Sequence, residues 1–454
     1  MSISLAIQKR LHGRLSNPDY QRVLALALPA VGEQLLNMAV GLADTFMVGH
    51  IGAAAVSAVG LSNQAVMLVT TFFSAVATGV TALVARHSGA EEPEQANRIL
   101  HQGYLLAALI GLLFTLLSIA LAVPTMRVLQ APADVVAPGA NYLRIAALTF
   151  LLASWMFAGN AALRGIGDTR SPMLIMLVVN LVNIVVAYAF IYGPGPLPAL
   201  GVAGSAIGAA AGRGVGGLIV TWLLWRGRDG LRLRLRHFWP DLTQLRRITN
   251  VGLPAGAEML LMRFAMTAYT MTVAALGTQA FAAHQLALQG ESLSFMPGFG
   301  FAVAATTLVG QGLGARDPAR ARADGRLAHR LATLVMSAMG VLFFIFARQI
   351  MDLFIDDPEV IRLGIWPLRL VAFSQPALAM VMVLAGGLRG AGDTRATLVI
   401  TAGSLWLVRL PLAILLTRPF GLIGAWIAMG VDLNLRGLGM WLRFRSDRWT
   451  RIRV

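Results

Sequence analysis

Cysteine is absent from the 454-residue chain, and charged residues are scarce at 13%. Without cysteine the protein has no disulfide, no thiol chemistry and no cysteine-ligated metal or haem. A soluble domain carries roughly 25% charged residues. Hydrophobic residues make up 57% of the chain, which is more apolar surface than a soluble core can bury. The composition therefore predicts a polytopic membrane protein.

Motifs for several kinds of chemistry are missing as well. The sequence has no Walker motif for phosphate, no nucleophile elbow and no metal-ligand spacing among its seven histidines. We therefore expect a protein that is not an enzyme, holds no cofactor and takes no energy from ATP. The net charge of +16 does not indicate a nucleic-acid partner, because the arginines lie in short clusters between long apolar runs.

About twelve apolar runs are long enough to span a membrane, since a transmembrane helix needs roughly 20 residues. They cover residues 24–48, 58–85, 99–122, 140–162, 172–193, 201–225, 250–275, 283–310, 327–347, 363–388, 397–417 and 421–442. No barrel-like alternation appears, and a backbone in lipid must satisfy its own hydrogen bonds, so the spans are predicted to be α-helices. The polar residues 1–22 do not resemble a cleavable signal peptide.

The arginines predict the orientation of the spans. With the N-terminus in the cytoplasm, the cytoplasmic loops contain Arg86, Arg98, Arg164, Arg170, the clusters at 226–247 and 316–330, Arg389, Arg395 and the tail from Arg436 to Arg453. The outer loops contain only Arg127, Arg348, Arg362 and Arg418. This asymmetry follows the positive-inside rule. It predicts an even number of spans, with both termini on the cytoplasmic side of the cell (inner) membrane.

The two halves of the chain match at a constant offset of 225 residues, as Pro29 and Pro254 show. The best match is LRGIGDTR at 163–170 against LRGAGDTR at 388–395. This repeat predicts two six-helix bundles in the same orientation, an N-lobe at 1–225 and a C-lobe at 250–454, joined by a cytoplasmic linker at 226–249. Parallel repeats of this kind build transporters that rock two lobes about a central site.

The chain resembles the MATE family, the multidrug and toxic compound extrusion transporters. The resemblance rests on LADTFMVGHIG at 42–52, on the two LRGxGDTR motifs, and on FMPGFG at 295–300 followed by AATTLVGQ at 304–311. It covers nearly the whole chain. It implies a V-shaped pair of lobes and the export of organic cations or amphiphilic drugs.

Asp44 is the main candidate for chemistry, because a carboxylate inside an apolar span is costly and marks a functional site by default. It could exchange a proton, ligate Na⁺ or pair with a cationic substrate. The alternative is an acid without a function, which lies near the outer end of the helix and is solvated among the lipid headgroups. The position 225 residues later is Tyr269, so the fold itself does not require the acid. By resemblance, Asp44 matches the aspartate that MATE transporters use for cation coupling.

Other residues are candidates for the same N-lobe site. Asn180 and Asn183 share a helix face, and by resemblance Asn183 belongs to the cation network, which Asn160 is expected to join. Some family members carry a polar or acidic residue where this chain has Ala187, which argues against a two-carboxylate relay. Pro29 stands where the family has a proline that bends the first helix; the plainer reading is a first-turn proline.

The C-lobe has its own candidates for a substrate or second cation site: Glu291, Glu258, Tyr269 and Arg409. The glutamate that some MATE branches use for Na⁺ would fall near Met262, so that site is not present in its usual form. Arg263 or Arg409 is expected to neutralise Glu291 or Glu258.

Residues that both repeats keep are expected to be structural instead. These are Glu33 with Glu258, and Asp168 with Asp393, which are predicted to cap the helices that follow them.

These features predict a secondary active antiporter that exports organic cations or amphiphilic drugs against inward H⁺ or Na⁺, with H⁺ favoured. We expect the protein to act as a monomer among membrane lipids. The alternative within the superfamily is a flippase for lipids or lipid-linked oligosaccharides, which favours a strongly basic cavity. An intramembrane enzyme would need a nucleophile or metal set, and a channel would not need the duplication.

Overall fold

The computed structural model describes residues 17–194, 198–234 and 238–452, and every regular element in these ranges is helical. Residues 1–16, Arg236 and Arg453, which contribute to the predicted charge asymmetry, lie outside the described residues. The first half contains α1 (Pro18–Gly49), α2 (Ala53–Gly89), α3 (Pro93–Ala120), α4 (Ala122–Val128), α5 (Ala133–Ala147), α6 (Phe150–Ile166), α7 (Arg170–Tyr192) and α8 (Val202–Arg226).

The second half repeats this order. It contains α9 (Leu242–Ala274), α10 (Thr278–Gly314), α11 (Pro318–Ile345), α12 (Ala347–Asp352), α13 (Pro358–Ala379), α14 (Ala385–Gly390), α15 (Thr394–Ser404) and α16 (Leu410–Arg445). Short π-helical turns join α13 to α14 at Met380–Leu384 and α15 to α16 at Leu405–Arg409.

The number of spans agrees with the sequence. Nine continuous helical stretches among the described residues are long and apolar enough to cross a membrane, and the pair α5–α6, bent by 53°, makes a tenth. One of the nine, Thr394–Arg445, is two helices merged across the non-helical Gly421. Helix α9 adds a span of 33 residues that is less apolar. With these two additions the described residues form twelve spans, so the predicted all-α polytopic fold is confirmed.

Helix boundaries recur at the 225-residue offset. Helix α2 (53–89) corresponds to α10 (278–314), and α3 (93–120) corresponds to α11 (318–345). Even the short helices α4 and α12 begin at equivalent residues, Ala122 and Ala347. The sequence repeat is therefore a repeat of structure.

The second half departs from the first at its two π-helical turns. The turn at Leu405–Arg409 corresponds to residues 180–184 of α7, which are regular α-helix. A π-helical turn inserts one residue into the helical register and is frequent at functional sites. This turn changes which side chains face the helices around it, and it ends at Arg409.

Packing divides the chain into two compact units. The first-half unit is Gly32–Gly256; the second-half unit joins residues up to Val31 to those from Ala257 onward. Each boundary lies two residues after a repeated proline, Pro29 in α1 and Pro254 in α9. The first turns of α1 accordingly pack in the second-half core through Val23, Leu26 and Ala27. The lobe boundaries predicted from the repeat remain a prediction.

A line of glycines brings α7 and α8 into close contact. Gly204, Gly208 and Gly212 lie one turn apart on α8, and a Cβ on each would fall within 2.7 Å of an α7 atom. Small residues at four-residue spacing allow two membrane helices to approach closely. The glycines thereby fix α7 and its asparagines relative to α8.

Candidate functional site

Asp44 lies in the last two turns of α1 and is half-buried. Asn183 of α7 donates from Nδ2 to its Oδ2 over a long 3.5 Å. The other carboxylate oxygen, Oδ1, is buried and accepts no hydrogen bond from the described residues. A buried carboxylate oxygen without a partner is unfavourable when the group is ionised. This site is therefore ready to take up a proton or a cation.

Two further side chains interact electrostatically with this carboxylate, and a third lies beside one of them. Arg213 of α8 acts electrostatically on both Asp44 and Tyr142, and Asp44 acts on Tyr142. The buried Tyr142 phenol donates to Asn63 Oδ1 over 3.2 Å. Ser205, fully buried, lies near that phenol without a well-formed hydrogen bond. Tyr142, Arg213 and Ser205 are not among the site residues predicted from the sequence.

The other two predicted asparagines take different positions. Asn180 donates from Nδ2 to the backbone oxygen of Leu36 over 2.6 Å, so it joins α7 to α1 two turns before Asp44. The side-chain oxygens of Asn160, Asn180 and Asn183 are all buried and unpaired within the described residues. The structure thus brings Asn183 to Asp44 by a direct contact, whereas Asn180 holds the helix that carries Asp44.

Ala187 occupies the position where a second carboxylate was considered. It is completely buried, and a Cβ on Gly208 of α8 would lie only 2.5 Å from the Ala187 Cβ. Ala187 therefore forms part of the close contact between α7 and α8.

Pro29 lies about three turns inside α1, which is an unbroken helix from Pro18 to Gly49. The first-turn interpretation is therefore wrong for this proline. Proline has no N–H to donate to the preceding turn, which weakens the helix at that point. A bend at Pro29 stays a prediction.

The glutamates kept by both repeats form equivalent ion pairs. Glu33 pairs with Arg164 of the LRGIGDTR motif, and Glu258 pairs with Arg389 of LRGAGDTR over 2.8 Å. Glu258 also accepts hydrogen bonds from the hydroxyls of Thr397 and Thr401, at 2.9 and 3.0 Å. Fully partnered carboxylates of this kind hold helices together, so the sequence-based expectation of a structural role fits these contacts.

The aspartates of the two motifs behave differently from each other. Asp168 accepts from the Ser171 backbone N–H at 2.9 Å, which caps α7 as predicted, and from Arg228 at 3.0 Å. Burial raises the pKa of Asp168, but the hydrogen bonds from Ser171 and Arg228 outweigh it and hold the pKa below its usual range. Asp393 makes no capping hydrogen bond; it pairs with Arg443 at 2.7 Å. The predicted cap is therefore wrong for Asp393.

A buried charge cluster lies in the second-half unit and contains three of the four candidates predicted there. Arg409 stacks on the Tyr269 ring, 4.7 Å from its centroid, and acts electrostatically on Glu291, which is 2% exposed. Glu258 instead belongs to the ion pair with Arg389. Arg409 therefore acts electrostatically on Glu291, as one of the two expected arginines.

Two residues of this cluster were missed from the sequence. Asp432 is fully buried and lies 2.8 Å from Arg436 and 3.9 Å from Arg409, and the Ser404 hydroxyl donates to it. The signal was present, because Asp432 and Arg436 are opposite charges four residues apart within an apolar span. Their helix position predicts the pair, but only the fold shows that Arg409 joins it.

Comparison with known proteins bears on both halves of the chain. The family model described as MatE matches residues 29–189 and again 254–415. The probable multidrug resistance protein NorM of Thermotoga maritima is 32% identical over 436 residues, which cover 94% of this chain and 93% of that protein. The multidrug resistance protein MdtK of Yersinia pseudotuberculosis is 30% identical over 446 residues, covering 94% and 95%.

Solved structures show the same fold. A multidrug resistance MATE family transporter of the MOP superfamily, solved in an outward-facing conformation, matches with a TM-score of 0.88 at 24% identity. The match covers 95% of this chain and 96% of that one. Agreement over almost the full length of both chains extends the likeness to all of the helices described above.

Proposed function

The chain belongs to the MatE family of multi-pass membrane transporters, and on that premise we propose that it exports cationic or amphiphilic drugs in exchange for a cation bound at Asp44. Its relatives NorM and MdtK are named as multidrug resistance proteins. The observation that carries the proposal is the Asp44 carboxylate, which lies within a membrane span, receives one long hydrogen bond and has a buried oxygen without a partner.

The contacts of Asp44 favour H⁺ over Na⁺ as the coupling ion. A sodium ion needs several oxygen ligands that converge on one point. Among the described residues, the one hydrogen-bonding side-chain atom at Asp44 is an amide nitrogen, Asn183 Nδ2, and nitrogen of this kind donates and cannot ligate a cation. Protonation needs no further ligand, because it converts the carboxylate into a group that can itself donate.

Protonation would change how α1 and α7 meet. In the ionised form Asp44 Oδ2 accepts from Asn183 Nδ2. A protonated Asp44 could donate its hydrogen to Asn183 Oδ1, which is buried and unpaired in this structure. Since Asn183 and Asn180 both lie on α7 and contact α1, the exchange of one hydrogen bond acts directly on the contact between these helices.

Competition for one negative charge would link the ion to the substrate. A protonated Asp44 is neutral and has no electrostatic attraction for an organic cation, whereas an ionised Asp44 attracts one. A proton arriving from outside would then favour substrate release there. This scheme places both termini in the cytoplasm of the cell, with the two lobes alternating access, as the arginine distribution predicts.

The flippase alternative receives less support from the arginines. In the second-half cluster both Arg409 and Arg436 lie within 4 Å of Asp432, and Arg409 also interacts electrostatically with Glu291, so each arginine already has an acidic partner. A phosphate headgroup needs cationic groups that are free to bind it. We therefore retain drug export as the proposed function.

Proteoliposomes containing the purified protein test this proposal. Efflux of a fluorescent organic cation is measured with a pH gradient alone, with a Na⁺ gradient alone, and with neither. We expect efflux to follow the pH gradient in the absence of Na⁺. Efflux that requires Na⁺ and ignores the pH gradient would contradict proton coupling, and absence of efflux under every gradient would contradict drug export itself.

A further inference from the structure

The internal repeat shows what occupies the second-half position that corresponds to the Asp44 site. Tyr269 is the counterpart of Asp44, and the π-helical turn Leu405–Arg409 is the counterpart of the α7 turn that carries Asn180 and Asn183. In the first half these two elements meet through the contact of Asp44 with Asn183. In the second half they meet through Arg409, whose guanidinium lies over the Tyr269 ring at 4.7 Å.

The second-half position is also lined by acids, but these come from other helices. Asp432 of α16 is 0% exposed and lies 3.9 Å from Arg409 Nε. Glu291 of α10 is 2% exposed and interacts electrostatically with the same guanidinium. Arg436 supplies a second positive charge at 2.8 Å from Asp432. Two buried carboxylates and two buried guanidinium groups thus belong to this cluster.

The two halves therefore neutralise their acids in different ways. A buried carboxylate without a cation is strongly unfavourable. Arg213 acts on Asp44 from a distance but makes no ion pair with it among the described residues, so this acid needs a mobile cation. Asp432 and Glu291 instead have a cation that is covalently part of the chain and is delivered by the π-helical turn.

We propose that Arg409 is a tethered cation, which fills in the second half the place that the exchangeable coupling cation takes in the first. One consequence of this inference rests on the proposed function, namely that cation exchange is confined to Asp44. The role of Arg409 as a fixed counter-charge rests only on the geometry of the second-half cluster. It follows that replacing Arg409 with a small neutral residue should create a site for a free cation of similar shape.

The test is chemical rescue of Arg409→Ala, followed by thermal unfolding of the purified protein in detergent. Loss of the charge should lower the Tm by about 5–10 °C, on the scale expected for an uncompensated buried acid. Guanidinium chloride at low millimolar concentration, far below denaturing levels, should restore the Tm saturably. Choline chloride at equal ionic strength should not, because choline is too large and has no N–H donors.

Arg369→Ala is the matched control. Arg369 lies on α13 of the same unit and stacks on Trp366 and Phe344, at 5.4 and 5.5 Å, without an acidic partner among the described residues. Its variant should not respond to guanidinium. The double variant Arg409→Ala/Glu291→Gln, which removes one acid with the arginine and leaves the Asp432–Arg436 pair intact, should have a higher Tm than Arg409→Ala and lose most of the guanidinium response.

Several results would overturn the inference. One is a folded Arg409→Ala protein whose Tm ignores guanidinium; another is equal stabilisation of the wild type or of Arg369→Ala. If Arg409→Ala does not fold, recovery of folding in the double variant supports the charge role, and failure of the double variant contradicts it. Because unfolding is measured without transport, absence of coupled efflux in the wild type would contradict the proposed function and would leave the guanidinium result on Arg409→Ala unchanged.

Discussion

At the scale of single residues, the hydrogen-bond and ion-pair partners of each acid distinguish the proposed coupling acid, Asp44, from acids that hold helices together. Asp44 has one long hydrogen bond and an unpaired oxygen, whereas Glu33 pairs with Arg164. Asp44→Asn keeps the size of the side chain and removes the exchangeable charge. We expect coupled drug efflux to fall at least about tenfold, equivalent to about 1.4 kcal/mol, while expression and Tm stay near the wild-type values.

The matched variant Glu33→Gln should show the opposite pattern, with a lower Tm and with coupling preserved in the protein that folds. Efflux assays and thermal unfolding on the same two preparations make the comparison. Full pH-driven efflux by Asp44→Asn would place the coupling site elsewhere.

A second prediction concerns the ion pair that recurs in both halves, here Glu258 with Arg389. Glu258 has three partners, Arg389, Thr397 and Thr401. Glu258→Gln should destabilise the protein by about 1–3 kcal/mol, because it leaves the half-buried Arg389 without its counter-charge. The double variant Glu258→Gln/Arg389→Gln should recover part of that loss. If the double variant loses as much as the two single variants added together, the pair contributes no coupling energy.

At the scale of helices, the contact of α7 with α8 sets the geometry of the Asp44 site. A Cβ on Gly208 would lie 2.5 Å from Ala187 Cβ, whereas one on Gly60 of α2 would meet nothing within 4 Å. Gly208→Val should force the helices apart, lower the Tm and weaken pH-driven efflux together. Gly60→Val provides the control and should change both quantities little. Equal losses from the two substitutions would show that helix propensity, and not the helix contact, is responsible.

The helices also show how far the sequence predicts the structure. The apolar runs and the 225-residue offset predict all twelve spans, because span length and repeat pairing depend on local composition. The π-helical turn at Leu405–Arg409 was not predictable, since one extra residue in a helical register leaves no mark on hydropathy. The sequence likewise offered Arg409 as a partner for the C-lobe acids without Asp432, which lies 3.9 Å from it in the folded chain.

At the scale of the whole molecule, the predicted orientation can be tested on the cysteine-free chain. Arg320 at the start of α11 and Asp356 before α13 are both exposed in the structure. In intact cells a cysteine at Asp356 should react with an impermeant maleimide, and one at Arg320 should react only after the cells are permeabilised. The reverse pattern would contradict cytoplasmic termini, and labelling of both sites from outside would contradict the predicted topology as a whole.

The central claim is that a proton and a cationic substrate compete for Asp44, so that the carboxylate binds one of them at a time. The most direct measurement is the number of protons released when the substrate binds to purified protein in weakly buffered detergent solution. The wild type should release about one proton per substrate bound at a pH below the midpoint of the Asp44 titration, and about half a proton at the midpoint, as linkage between two ligands of one site requires. Asp44→Asn should bind without proton release. Equal release from the wild type and Asp44→Asn would contradict the account.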